Sequence, residues 1–113
     1  MIDPPDTNTM LRDFFLGFIK IHILYHAAQE PIYGLETIRE LGTHGYDLSP
    51  GTLYPILHKL EERGYLVSEK QVIEGKVRKY YAATPAGEEM LAKAYTQARE
   101  LFREISPSEF ISK

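Results

Sequence analysis

The chain has 113 residues, of which 43% are hydrophobic and 26% charged, the size and balance of one soluble globular domain rather than two domains or a disordered tail. It contains no cysteine, which excludes disulfides, thiolate metal sites and thiol redox sensing. The formal net charge of -3 argues mildly against a nucleic-acid partner, yet Lys70, Lys76, Arg78 and Lys79 gather in residues 64–85 against only Glu69 and Glu74.

Residues 1–8 are polar with two prolines and read as a mobile arm. Thr9 is placed to cap a helix from about Met10 to Gln29, ending before Pro31. That helix is apolar on more than one side: Leu11, Phe14, Phe15 and Phe18 on one, Leu16, Ile19 and Ile23 on another. Such a helix needs cover on more than one face, and in so short a chain a second copy of the protein is the economical cover. Its apolar run, Phe14 to Ala28, is interrupted by Lys20, His22 and His26, too short and polar for a bilayer. The start, Met-Ile-Asp-Pro-Pro-Asp, lacks the pattern of a signal peptide. A cytoplasmic location and no membrane partner are therefore expected.

A second helix is expected over Tyr33 to about Leu41, with Leu35, Ile38 and Leu41 inward and Gly42 as its stop. The third carries the plainest signals: Ser49 at the N-cap, Pro50 at the first helical position, and Gly64 just past the end. Leu53, Ile56, Leu57 and Leu60 form its buried stripe. The period then changes to that of strands. Tyr65 to Ile73 and Lys76 to Thr84 form a hairpin turning at Glu74-Gly75. Thr84-Pro85 opens a last helix, in which Leu91, Ala94, Ala98, Leu101 and Ile105 make a heptad seam; residues 106–113 are a tail.

The expected fold is mainly α with a small β-hairpin, a winged helix-turn-helix over residues 31–84 with long end helices at 9–29 and 85–105 for dimerisation. In that fold the third helix, residues 49–63, enters the major groove and the wing, residues 65–84, lies along the backbone.

The sequence also resembles a known family. Ser49-Pro-Gly-Thr-Leu-Tyr-Pro55, followed by Leu57, Leu60, Glu61 and Gly64-Tyr-Leu66, looks like the signature of the PadR-type transcriptional regulators. Arg78-Lys-Tyr-Tyr81, Thr84 and Gly87 resemble the family's second motif, and Tyr33-Gly-Leu-Glu36 matches its second-helix pattern more loosely. The resemblance spans roughly residues 10–105 and fits the short branch with one C-terminal helix. It implies a dimeric winged-helix repressor that binds a pseudo-palindromic operator in double-stranded DNA and is released by a small ligand or another signal. The chain has no tryptophan, a departure from the multidrug-sensing branch, which stacks drugs between central tryptophans.

With the leucine stripe turned inward, Gly51, Thr52, Pro55, His58, Lys59 and Glu62 face away from the core and Tyr54 lies on the flank. Ser49, Gly51 and Thr52 are placed to offer backbone N–H groups to a phosphate at the helix start. Pro55 lacks the N–H that would bond the Gly51 carbonyl, so the first turn can tilt outward. Ser49, Gly51, Thr52, Tyr54, Pro55, His58 and Lys59, with Lys76, Arg78 and Lys79 on the wing, are the expected DNA-binding set; Tyr81 is assigned to the core. Phe14, Phe15, Phe18, Tyr95 and Phe102 are expected at the dimer interface, where they can line a pocket for a small aromatic or apolar effector.

His22 and His26 have the i, i+4 spacing of a chelating pair. With no carboxylate between them, no cysteine and His44 in a connector, packing histidines are the default and no metal or cofactor is expected. No nucleophile–base set or phosphate-cradling glycine loop stands out, so the protein is read as no enzyme. The alternative function is a winged-helix module that docks another protein and never meets DNA, a reading sustained by the net charge and by Glu61 and Glu62 beside Lys59 and Arg63.

Overall fold

The computed structural model describes residues 7–105, with side chains from Thr9 onward; the expected arm and tail, 1–8 and 106–113, fall outside the described side chains. The elements are α1 (Thr7–Gln29), β1 (Ile32–Tyr33), α2 (Gly34–Thr43), α3 (Pro50–Glu62), β2 (Leu66–Ile73), β3 (Lys76–Ala83) and α4 (Pro85–Glu104). Helix α1 begins two residues before the expected cap, so Thr9 lies inside it.

The three strands form an antiparallel sheet in the order β1-β3-β2. Strands β2 and β3 pair from Leu66↔Ala83 to Ile73↔Lys76, and β1 adds Ile32↔Tyr81 and Tyr33↔Tyr80. Between the long strands Glu74 and Gly75 both take positive φ, 53° and 76°, which suits a two-residue hairpin turn to the right-handed twist of its strands.

Two helices end by the same device. Gly45 and Gly64 take φ of 87° and 85°. The Tyr46 N–H then reaches back to the Leu41 carbonyl at 3.1 Å and the Tyr65 N–H to the Leu60 carbonyl at 2.9 Å. Gly64 is the expected stop of α3. For α2 the expectation was misplaced: Gly42 lies inside the helix, and Gly45 is the residue in the left-handed conformation that ends it.

The core gathers Ile19, Ile23, Leu24 and Ala27 of α1, Ile32, Leu41, the α3 residues Leu53, Leu57 and Leu60, then Leu66 and Tyr81. Tyr81 is 1% exposed, as expected of a ring on the sheet's inner face. Leu35 corrects the sequence reading, since it is 51% exposed. The stripe of α2 runs instead through Gly34, Thr37 and Leu41, with Ile38 half-buried. Thr37 is tolerated inside because its hydroxyl donates to the Tyr33 carbonyl at 2.9 Å.

Helix α4 is fastened at its start. The Thr84 hydroxyl accepts from the Gly87 N–H at 3.0 Å and donates to the Gly64 carbonyl at 2.5 Å. Gly87 lets the chain pass Tyr65: a Cβ there would stand 2.1 Å from the Tyr65 carbonyl oxygen. Beyond this junction α4 runs along α1, and the only residue it buries fully is Gly87.

Candidate functional site

Helix α3 presents two unlike sides. Leu53, Leu57 and Leu60 are buried, while Gly51, Pro55, His58, Lys59 and Glu62 are exposed and Thr52 is half-buried. Pro55 interrupts the hydrogen-bond ladder without breaking the helix, which continues to Glu62. At the helix start the Ser49 carbonyl accepts from both the Thr52 and Leu53 N–H groups, at 3.1 and 3.0 Å. Thr52 is therefore not the open backbone donor expected from sequence, whereas the N–H of Gly51, in the first turn, precedes every carbonyl of its own helix that it could reach. The Ser49 side chain makes no backbone cap; it donates to the Thr52 hydroxyl at 3.3 Å.

Tyr54 has a packing role on the flank. Its ring lies over Gly34 so closely that a Cβ there would come within 2.7 Å of it, and 39% of the residue stays accessible beside His58, 6.3 Å away ring to ring. The glycine of the Tyr33-Gly34 pair is thus the seat of a tyrosine from α3.

The wing cations divide by strand alternation. Lys70 and Lys79 are cross-strand partners on the inner face of the sheet, the face that carries Tyr81, whereas Lys76 and Arg78 project from the other. Lys79 is held within the molecule: its Nζ lies 3.5 Å from Glu61 Oε1 and 5.4 Å from the centre of the Tyr81 ring. The Ser68 hydroxyl donates to the other Glu61 oxygen. That hydrogen bond, and after it the Lys79 ammonium, hold the Glu61 carboxyl below its ordinary range against the opposing effect of burial. Arg78 places its guanidinium 4.8 Å from the centre of the Tyr33 ring. Lys76 is exposed at the hairpin tip.

The aromatic residues assigned to an interface do not share one pocket. Phe18 meets Phe14 edge-on at 4.7 Å and stacks with Phe102 at 6.3 Å, so these three are brought together. Phe18 and Tyr95 line a groove of about 280 Å³ between α1 and α4. Phe15 turns the other way, toward Tyr46, into a cleft of about 590 Å³ between α1 and the connector before α3. Phe14, Phe15, Tyr95 and Phe102 are each close to half exposed or more.

The structure also assembles a group that sequence reasoning did not. His44, the C-cap of α2, joins His22 and His26 so that one ligand nitrogen from each lies within 4.8 Å of the others. The expectation of no metal site placed His44 in a connector; the turn at Gly45 folds that connector against α1. Burial, and then the His44 and His26 imidazoles, push His22 below the ordinary imidazole pKa. Only the i, i+4 spacing of His22 and His26 hinted at this in the sequence.

A family model described as the transcriptional regulator PadR-like family matches residues 23–93. The chain is 46% identical over 95 residues to Transcriptional regulator Rv3488 of Mycobacterium tuberculosis, covering 84% of this chain and 89% of the relative. Its structure is similar to that of a PadR-family regulator from Eggerthella lenta, with a TM-score of 0.78, 30% identity and 88% of each chain covered. It is also similar to a PadR-like regulator from Bacillus cereus, with a TM-score of 0.76, 26% identity, and 89% of this chain and 99% of the other covered.

Proposed function

This chain belongs to the transcriptional regulator PadR-like family, and from that premise we propose that it is a homodimeric repressor that binds a pseudo-palindromic DNA operator and is released by a small ligand or another signal. The observation that carries the proposal is the outward side of α3, where Gly51, Pro55, His58 and Lys59 are exposed on a helix whose other side is wholly committed to the core. In each subunit the N-terminal part of α3 enters a major groove, with half-sites about one helical turn, ~34 Å, apart. The Gly51 N–H and Lys59 meet phosphates, while Thr52 and His58 reach toward base edges and Tyr54, seated on Gly34, flanks the contact. From the wing, Lys76 and Arg78 contact the neighbouring backbone.

Dimerisation uses the outer sides of α1 and α4. Met10, Phe14, Tyr95, Leu101 and Phe102 leave apolar side chains 47% to 75% exposed on these two helices, and covering them stabilises a pair at ~25 cal/mol per Å². A small apolar effector in the α1–α4 groove shifts the spacing of the two recognition helices by favouring one packing of these helices over another. The protein does no chemistry of its own in this scheme.

Titration of the purified protein against duplex DNA from upstream of its own gene, at two salt concentrations and with random-sequence competitor, tests the proposal. Specific binding that weakens steeply with salt is expected, because counterion release accompanies phosphate contacts. The rival reading, a protein-docking module, draws on the net charge of -3 and on the Lys79–Glu61 pair, which occupies one wing cation. Affinity for duplex that is absent, or flat with salt, selects that rival.

A further inference from the structure

The three histidines at the junction of α1 and α2 have no part in the DNA-binding scheme, and their arrangement has a chemistry of its own. The His22 and His44 ring centres are 4.9 Å apart, and His26 stands 6.3 Å from each. Glu40 brings a carboxylate to the same place, its Oε1 lying 3.7 Å from His26 Nε2 and 3.6 Å from His44 Nε2. The His26 Nε2 is buried and has no hydrogen-bond partner. A buried nitrogen with an unused lone pair or proton is costly, and this one lies on the side of the Glu40 carboxylate, beyond hydrogen-bond length.

We propose that His22, His26 and His44 bind one divalent transition-metal ion of the zinc type (Zn²⁺, Co²⁺ or Ni²⁺), with the Glu40 carboxylate as the fourth donor. Imidazole and carboxylate are the donors these ions take, and a chain without cysteine offers no competing thiolate set. Tetrahedral ligands at 2.0–2.1 Å from zinc stand about 3.3 Å from one another. The nitrogens here lie within 4.8 Å, so the contraction required is roughly 1.5 Å at most, within reach of a small χ1 rotation inside one rotamer well.

The backbone is already set for this. His22 and His26 are one turn apart on the same side of α1. His44 is fixed by the turn that ends α2: its N–H donates to the Leu41 carbonyl at 3.0 Å, and the Gly45 N–H to Gly42 at 3.1 Å. Tyr46 packs edge-on to His22 at 5.4 Å and Tyr25 against His26 at 5.1 Å, giving the group aromatic walls. An ion held there cross-links α1 to the connector that leads into α3. The inference is independent of the DNA-binding proposal, because metal binding is read without DNA.

The test uses the untagged full-length protein, stripped with a chelator and titrated with Co²⁺ and then Zn²⁺. One Co²⁺ per chain is expected, with the visible absorption of a low-coordinate nitrogen/oxygen site, displacement of that absorption by Zn²⁺, and a higher melting temperature with either ion. His44→Ala alters an exposed residue outside the core and should fold as wild type by circular dichroism while losing more than ~100-fold in Co²⁺ affinity. His22→Gln should behave likewise, and Glu40→Gln should weaken binding about 10-fold. Failure of the wild-type protein to bind Co²⁺ overturns the proposal. So does a folded His44→Ala protein that keeps wild-type affinity, since the ion would then sit elsewhere.

Discussion

On the side of α3 the exposed side chains include those of Pro55, His58 and Lys59, and the hairpin adds Lys76 beside the exposed valines Val67, Val72 and Val77; on the side of α1 and α4 they include Met10, Phe14, Tyr95, Leu101 and Phe102. Both sides are built from helices that bury a stripe in a common core, so the contrast lies in what remains after that burial. Helix α3 carries a single apolar stripe, and once Leu53, Leu57 and Leu60 are inside, its remaining exposed surface is mainly polar. Helix α1 spends Ile19, Ile23, Leu24 and Ala27 on the core and still shows aromatic residues. Polar surface without an internal task suits a charged, hydrated partner, and apolar surface in excess suits a second copy of the same helices.

The largest effect is expected at the junction that holds the two sides together. Gly87→Ala forces a Cβ against the Tyr65 carbonyl oxygen, backbone against backbone, and should cost about 3 kcal/mol or more in a denaturant titration. A loss below 1 kcal/mol would mean that the strand-to-helix junction yields and is no fixed frame. Next in size, the double substitution Phe14→Glu with Leu101→Glu should weaken self-association more than ~100-fold in sedimentation, with little change in helix content. Should it leave a dimer intact, the apolar side needs another explanation.

A smaller effect separates the wing cations. Lys76→Ala should lower the salt slope of DNA binding by about one unit, evenly for all sequences. Lys79→Ala should lower it by less, since Lys79 already pairs with Glu61. Equal effects would show that the Lys79–Glu61 pair opens on DNA. The smallest concerns the inner support of that pair: Ser68→Ala removes the hydroxyl that lowers the Glu61 pKa and should cost about 1 kcal/mol at neutral pH. The depressed folded pKa places the sign. The carboxylate's contribution is present above its unfolded pKa and lost as pH falls through the folded one, so wild type and Ser68→Ala should converge in acid, as followed by thermal melting.

Much of this molecule was legible beforehand where the signal is local. Ser49-Pro50 and Thr84-Pro85 mark helix starts, Gly64 marks a helix end and Glu74-Gly75 a turn, because capping and positive φ are decided by a few adjacent residues. Strand β1 has no sequence signal for the opposite reason: two residues, Ile32 and Tyr33, cannot display a period of two, and their pairing with Tyr81 and Tyr80 is what makes them a strand. The stripe of α2 is hidden in the sequence because, besides Leu41, it is built from Gly34 and Thr37, a glycine covered by Tyr54 and a threonine bonded to the Tyr33 carbonyl, neither of which looks apolar in a sequence.

By itself, then, the amino-acid order determined the four helices and the hairpin, their sequence along the chain, and the separation of α3 into an inward and an outward side, since each follows from local conformational preference and helical periodicity. Only the tertiary structure decided that Lys79 pairs with Glu61, that Phe15 parts from Phe18 toward Tyr46, and that His44 meets His22 and His26. Such meetings depend on the angles at which helices and sheet pack, and no spacing within one segment encodes the distance to another.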